Sequence, residues 1–360
     1  MTSIRDVSKV AGVSVATVSR AMSRPEKVSD KTRKKVLEAI KATNYRPDVL
    51  ARNFTTRKSR TIVVLVPDIS NPFFSRVIRG IEHAAQRVGY SVLLGDTRGD
   101  PAVEDTYASM VEARLADGII QLNGRLPFGD TSGGEDTGRG DDAGGDAAGS
   151  SDTFGRSAES TKKSVPLVNA CDCVHGSNVP TIELDNASAA KAMTQHLLSL
   201  GHQHIAVVQG PVGSSLTKER LRGHTEALQE AGLTLDSTLI AEGDFSAASG
   251  EAAVTTLLAA PSMPTAIFCF NDEMAMGAMH SLKKSGYAVP GDISVVGFDD
   301  IQFARYCDPP LTTIRQPAEG FGTRAMEVLL GMLEGKEPEV LNQYLPHEII
   351  IRQSSGPVKK

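Results

Sequence analysis

Apolar positions in the first forty residues recur with helical spacing. Ile4, Val7 and Val10-Ala11 form one such stripe. Gly12 breaks it, and Ser14 is placed to cap a second short helix, Val15 to Met22. In that helix Val18 and Ala21 turn toward a small core, while Val15, Ala16, Thr17 and Arg20 remain outside. A third helix is predicted from about Ser29 to Thr43, with Val36, Leu37 and Ile40 inward and Lys31, Arg33, Lys34 and Lys35 outward. Helix, tight glycine-containing turn, helix is the helix-turn-helix pattern. Asn44-Tyr45-Arg46-Pro47 then leads into Asp48–Phe54, a two-turn helix with proline at its start. Two turns are too few for stability alone in water, so this segment is a linker or a piece that folds on its target.

From Thr61 the pattern changes. Ile62-Val63-Val64-Leu65-Val66 is a continuous apolar run, the sign of a strand covered on both faces. A helix from Val77 to Val88 follows, then Ser91–Gly95, a helix near Glu104–Leu115, and Asp117–Leu122. The alternation pauses at Gly129–Lys163, where 35 residues hold nine glycines, eight acids and one aromatic, Phe154. Such a segment cannot bury enough surface to offset its ordering entropy, so a disordered insert is expected at 129–163. Strands resume at Pro166–Asn169, Thr181–Asp185, Ile205–Val208, Leu239–Ala241, Ala266–Phe270 and Ile293–Gly297, separated by helices near 187–200, 215–231, 247–259 and 272–285. The fold class read from this order is a small all-α head plus an α/β body of two doubly wound parallel-sheet subdomains. The expected divisions are 1–46 for the head, 47–60 for hinge helix and linker, and 61–360 for the body. Its sheets are expected over 61–180 and 181–298, with the C-terminal stretch crossing back.

Composition is that of a globular protein: 40% hydrophobic, 22% charged, net charge −5. The mean hides an asymmetry. Residues 1–60 carry 15 Lys/Arg against 5 Asp/Glu, a net of +10, leaving −15 for the remainder. A basic head on an acidic body is the footprint of a nucleic-acid-binding module joined to something else. Arg20 suits a bidentate contact to guanine, and Val15, Ala16 and the Thr17 methyl suit thymine methyls in a major groove. Lys31 and Arg33, with Lys34 and Lys35, suit phosphates. Phe54 suits an apolar wedge between base steps in the minor groove. Double-stranded DNA is therefore the expected macromolecular partner. Four cysteines are too few for a disulfide scaffold. Neither a secretory signal nor an 18-residue apolar run is visible, so a cytoplasmic, nucleoid-associated protein without membrane contact is expected.

Open α/β sheets bind ligands beyond the carboxyl ends of their strands. Residues there include Asp68–Phe74, Asn123–Arg125, Gln209–Ser215, Phe245, Asn271-Asp272, Phe298-Asp299 and Gln316. Aromatic faces stack on a sugar or base, and a carboxylate opposite an arginine grips vicinal hydroxyls. Core packing for the phenylalanines, a surface position for Arg220 and a turn for Asp299 are the competing readings. Enzyme signatures are missing: no G-x-G-x-x-G after a strand, no Walker A, no G-x-S-x-G. Gly210–Ser215 lacks the lysine of a phosphate loop. Cys171-x-Cys173-x-His175 lacks zinc-knuckle spacing. No enzyme activity, cofactor or metal is expected.

Residues Ile4–Phe54, with the core A-G-V-S-x-x-T-V-S-R and the N-Y-x-P that leads into the hinge, resemble the head of the lac repressor (LacI/GalR) family. The resemblance implies that Ser14, Val15, Ala16, Thr17 and Arg20 face DNA, with Ser19 on the same helix, and that Phe54 stands where the family inserts a hinge leucine. The body is similar to that family's effector domains and to periplasmic ribose-binding proteins. There the motifs matching Asn71-Pro72-Phe73-Phe74, Arg220, Phe245, Asn271, Asp299 and Gln316 line a sugar site, and Arg125 joins them as a candidate from its strand end. The stretches 123–128, 243–245 and 307–314 are similar to a nucleoside-sensing branch. The implied function is a homodimeric repressor whose operator affinity is set by a nucleoside or ribose closing the cleft. Another sugar or a purine base as effector, and a binding protein without DNA contact, are the alternatives. No leucine heptads follow Arg352, so a tail-built tetramer is not expected.

Overall fold

A computed structural model of the chain describes residues 2–45, 58–127, 165–174 and 176–359. These fall into two units, Met1–Ser59 and Arg60–Lys360. The expected hinge helix with Phe54, the insert 129–163 and His175 lie outside the described residues.

The first unit contains α1 (Ile4–Ala11), α2 (Val15–Ser23) and α3 (Asp30–Thr43). Gly12 ends α1 in the left-handed region at φ 65°, which glycine adopts without a Cβ penalty. Two residues on, the Ser14 hydroxyl accepts from the Thr17 amide at 3.1 Å and starts α2. Val7, Ala11, Val18, Ala21, Val36 and Ala39 make the core. Two expected core positions differ. Leu37 is 49% exposed and Val10 59% exposed. Each sits about 100° round its helix from a buried neighbour, Val36 or Ala11, and two short helices cover only one stripe of α3.

In the second unit the first sheet has the order β11-β5-β4-β3-β1-β2. Its strands are β1 (Thr61–Val66), β2 (Ser91–Asp96), β3 (Gly118–Gln121), β4 (Leu167–Ala170), β5 (Thr181–Leu184) and β11 (Asn342–Leu345). The second sheet runs β12-β10-β9-β8-β6-β7. It comprises β6 (Ile205–Gln209), β7 (Ile240–Glu242), β8 (Ala266–Cys269), β9 (Ser294–Asp299), β10 (Thr312–Arg315) and β12 (Glu348–Ile350). The β10–β12 pairing is antiparallel, and the other described pairings are parallel. The central strands are buried on both faces, as their unbroken apolar runs require.

The helices are α4 (Pro72–Arg87), α5 (Pro101–Glu112), α6 (Asn186–Ser199), α7 (Ser215–Glu230), α8 (Ala247–Leu258), α9 (Asp272–Lys284) and α10 (Ala318–Leu333). One division differs from the sequence expectation. β5 belongs to the first sheet, paired to β4 through Asn169↔Thr181 and to β11 through Thr181↔Asn342. The chain therefore first leaves that lobe after Leu184, not near 180. It returns after β10 to build α10 and β11, then leaves again for β12.

Helix pairs cross at glycines. A methyl group on Gly322 of α10 would overlap the Val77 carbonyl oxygen of α4, and one on Gly80 would overlap the Glu319 carbonyl oxygen. Deeper in the second lobe, the His224 ring of α7 is buried. It meets Thr194 Oγ1 at 2.9 Å and the edge of Phe268 at 6.3 Å. Burial pulls its pKa down to about 4.

Two outcomes follow from this packing. Gly322→Ala is expected to destabilise by about 1–3 kcal/mol in urea titration. Gly331→Ala, on the same helix with open space around it, is expected to stabilise slightly by helix propensity. The lowered pKa of His224 means that the unfolded chain takes up its proton first. Stability is thus retained above about pH 6.5 and lost as pH falls toward 4. His224→Leu should remove about 3 kcal/mol of that acid loss, read from urea titrations at pH 7 and pH 4.

Candidate functional site

In the first unit α2 presents its outer face to solvent. Val15, Ala16, Ser19 and Arg20 are exposed, Ser14 sits exposed at the cap, and Thr17 is half-buried because its amide and hydroxyl turn back to Ser14. Lys31 and Arg33 project from the first turn of α3 and are exposed. Small side chains around one arginine leave the helix backbone able to approach a flat or grooved partner closely.

The second unit holds a cavity of about 460 Å³ walled by both lobes. The first lobe contributes Pro67–Phe74 beyond β1, Arg98-Gly99 beyond β2, Leu122-Asn123 beyond β3 and Cys171-Asp172 beyond β4. The second contributes Ser214, Leu216 and Arg220 of the α7 region, Asp244–Ser246 beyond β7, and Asn271 and Glu273 beyond β8. Asp299 at the end of β9 and Gln316 beyond β10 complete it. Each of these strands thus delivers its wall residues at its carboxyl end, where parallel strands open into a crevice.

Arg220 is the organising cation. It is buried; its Nε donates to Asn186 Oδ1 at 2.9 Å, and its Nη1 donates to the Phe270 carbonyl. Its guanidinium carbon lies 3.7 Å from the centre of the Phe298 ring, a cation–π contact. Burial lowers its pKa to about 10, opposed by the charges of Asp299, Asp172 and Asp272. Asp299 sits at φ 126° and accepts from Gln316 Nε2 at 2.6 Å. Burial pushes its carboxyl well above the usual range, and the Arg220 charge pulls it back. Behind the wall Asp272 accepts from the Thr313 hydroxyl and the Ile301 amide, and burial lifts it to about 7.

Asn271 caps α9 by accepting from the Met274 amide at 2.9 Å and donates to the Phe245 carbonyl at 2.7 Å. That second bond holds Phe245 at φ 69°. Asn71 caps α4 through the Phe73 amide at 2.9 Å. Phe73 and Phe74 meet edge to face, with centroids 5.3 Å apart. Phe73 also packs on Phe321 and is nearly buried, so it is core and wall at once. Polar contacts cross between the lobes: Ser215 Oγ donates to Asp172, and Arg76 Nη1 donates to the Asp300 carbonyl at 3.2 Å.

Eight of the nine residues singled out from sequence therefore meet in one place: Asn71, Phe73, Phe74, Arg220, Phe245, Asn271, Asp299 and Gln316. Arg125 does not wall the cavity. Its Nη1 lies 2.7 Å from Glu104 and its Nη2 3.2 Å from Asp105, two acids of α5 that draw it away from the cleft. Sequence reasoning passed over Arg98, Asp172, Asp244 and Glu273. The strand-end rule, carried through to β2, β4 and β7, points to the first three. Cys171 and Cys173 are buried thiols whose pKa is raised by burial, and Cys173 Sγ lies 3.8 Å from the Asn169 carbonyl. Among the described residues no group of three His, Cys, Asp or Glu is placed to hold a metal. No described helix is long and apolar enough to cross a membrane.

Comparison with known proteins is consistent along the chain. Residues 3–48 match the model of bacterial regulatory proteins of the lacI family. Residues 59–124 match periplasmic binding proteins and the sugar-binding domain of the LacI family, and residues 194–355 match a periplasmic binding protein-like domain. The HTH-type transcriptional repressor CytR of Escherichia coli K12 is 38% identical over 98% of this chain and 96% of its own. The lac repressor dimer bound to operator and the anti-inducer ONPF superposes with a TM-score of 0.82 at 28% identity, covering 99% of both chains. A LacI-family regulator from Enterococcus faecium with bound ribose gives a TM-score of 0.68 at 29% identity, over 83% of this chain and all of that one. A helix-turn-helix head, two parallel-sheet lobes and this identity across nearly the whole length place the chain in the lacI family of bacterial regulatory proteins, as a DNA-binding transcriptional repressor.

Proposed function

We propose that this repressor binds a ribose-containing small molecule, a nucleoside or ribose itself, in the cavity between its lobes, and that occupancy changes its affinity for operator DNA. The observation that carries the reading is the Arg220 arrangement. A buried guanidinium stacked on Phe298, with Asp299 braced by Gln316 and Asn271 beside it, forms a hydrogen-bonding end matched to vicinal hydroxyls. Phe73, Phe74 and Phe245 supply apolar faces for a ring. Each relative's printed ligand belongs to that relative, yet a bound ribose in one of them is in keeping with this chemistry.

The DNA-facing residues in this reading are Ser14, Val15, Ala16, Thr17, Ser19 and Arg20, with Lys31 and Arg33 on phosphates. The protein acts as a homodimer whose two heads meet a pseudo-palindromic operator, in the cytoplasm beside the nucleoid. Ligand contacts made in one lobe arrangement and not in the other shift the equilibrium between them. A differential affinity of about 1–3 kcal/mol gives a 5- to 150-fold effect on DNA binding.

Arg20→Ala is expected to weaken operator binding by about 1–3 kcal/mol and to leave affinity for random DNA nearly unchanged, as read by fluorescence anisotropy on both duplexes. Equal loss on both would make Arg20 a phosphate contact. Asp299→Asn is expected to abolish the thermal shift given by ribose and nucleosides while operator binding persists. A retained shift would remove Asp299 from the site.

A further inference from the structure

The charge distribution around the cavity is one-sided. Five carboxylates wall it, Asp68, Asp172, Asp244, Glu273 and Asp299, against two guanidiniums. Both arginines are partly engaged already. The Nε and Nη1 of Arg220 are already engaged by Asn186 and the Phe270 carbonyl, and its flat face is against Phe298. Arg98 Nε pairs with Asp96 at 3.2 Å, and its side chain is 85% exposed to solvent that screens it.

Helix N-termini are the other usual hosts of phosphate. Three of those that open on this cavity are capped by the chain itself, and the fourth is faced by a carboxylate. Asn71, Ser246 and Asn271 cap α4, α8 and α9 with their own side-chain oxygens. Asp272 and Glu273 fill the first turn of α9. At α7 the cap residue Ser214 makes no side-chain cap bond and its buried hydroxyl has no partner, but the Asp172 carboxylate already stands at the helix's first residue, accepting from the Ser215 hydroxyl. The acids also oppose one another across the cleft. Burial raises the pKa of half-buried Glu273 in the second lobe, and the charge of Asp68 in the first adds to it.

We infer that this cavity selects against negative charge, admitting the uncharged form of its ligand and rejecting the phosphate ester of the same molecule. This rests on the ribose reading above and narrows it. A phosphomonoester brings up to two charges at neutral pH into a wall that holds five carboxylates against two partly engaged guanidiniums. The one uncapped helix end it meets, that of α7, already faces the Asp172 carboxylate, so the desolvation cost is poorly repaid. A neutral ribose or nucleoside brings hydroxyl and amino donors, which carboxylates accept. Transfer of a phosphoryl group from a nucleoside triphosphate to a ligand hydroxyl, with release of the diphosphate and a proton, thus removes the ligand from this cavity's reach, and hydrolysis of the ester to alcohol and inorganic phosphate restores it.

Calorimetric titration of the full chain tests this, with ribose against ribose 5-phosphate and adenosine and cytidine against their 5′-monophosphates, at low and high salt. The parent compounds are expected to bind, with each ester at least 100-fold weaker. That gap should narrow as salt rises and narrow further in Glu273→Gln and Asp68→Asn. An ester that binds as tightly as its parent overturns the inference and leaves the ribose reading standing, and loss of that binding in Arg98→Ala would identify the cation responsible. Absence of binding by every parent and every ester overturns the ribose reading and this inference together. The salt series on the unsubstituted protein decides the matter even where a variant fails to fold.

Discussion

A cation buried away from water needs hydrogen bonds, and the arrangement of the second unit's site follows from how Arg220 obtains them. Its partners come from separate elements: Asn186 at the start of α6, the carbonyl of Phe270 just beyond β8, and the ring of Phe298 on β9. One side chain therefore fixes the relative position of the strand ends that carry Asn271 and Asp299. The counter-charge is spread over several acids, so the guanidinium is stabilised without one carboxylate saturating it. Both Asp299 and Phe245 hold backbone angles that side chains rarely adopt, and each is restrained by an amide, that of Gln316 or of Asn271. Strain held by neighbouring bonds gives the cavity a preorganised wall.

Close helix packing supplies the rigidity behind that surface. Glycine at a crossing lets backbones approach until a methyl group no longer fits, which locks α4 to α10 in the first lobe. In the second lobe the same device joins α6 to α7 at Gly223 and α8 to α9 at Gly250 and Gly277. Rigid lobes with few polar contacts between them, Ser215 to Asp172 and Arg76 to the Asp300 carbonyl among them, are what a hinge-type response to ligand requires.

Much of this was legible in the sequence because the relevant signals are local. Apolar runs such as Ile62–Val66 mark buried strands, and the residues after them mark a cavity. The opposite charges of head and body separate two tasks that the net −5 conceals. What escaped depends on contacts between distant segments. Nothing near Thr181 shows that its partner is Asn342, 161 positions on, so the lobe boundary was set too early. Arg125 follows a strand as the rule demands, but two acids on α5 claim it, and helix-to-loop distance is not written in the spacing. Leu37 looks like core by composition, yet the small head has surface for only one stripe of α3.

The three passages between lobes also set an order of manufacture. The head's helices lie within residues 4–43, ahead of every segment of the body in the order of synthesis. The first sheet, by contrast, waits for β11 at Asn342–Leu345, and its covering helix for Ala318–Leu333. For nearly three hundred residues of synthesis the head's sequence is complete while the sensor lacks parts of both lobes. A message broken ahead of Ala318 encodes the head's helices without a finished cavity. The cavity in this protein is thus completed later in translation than the head.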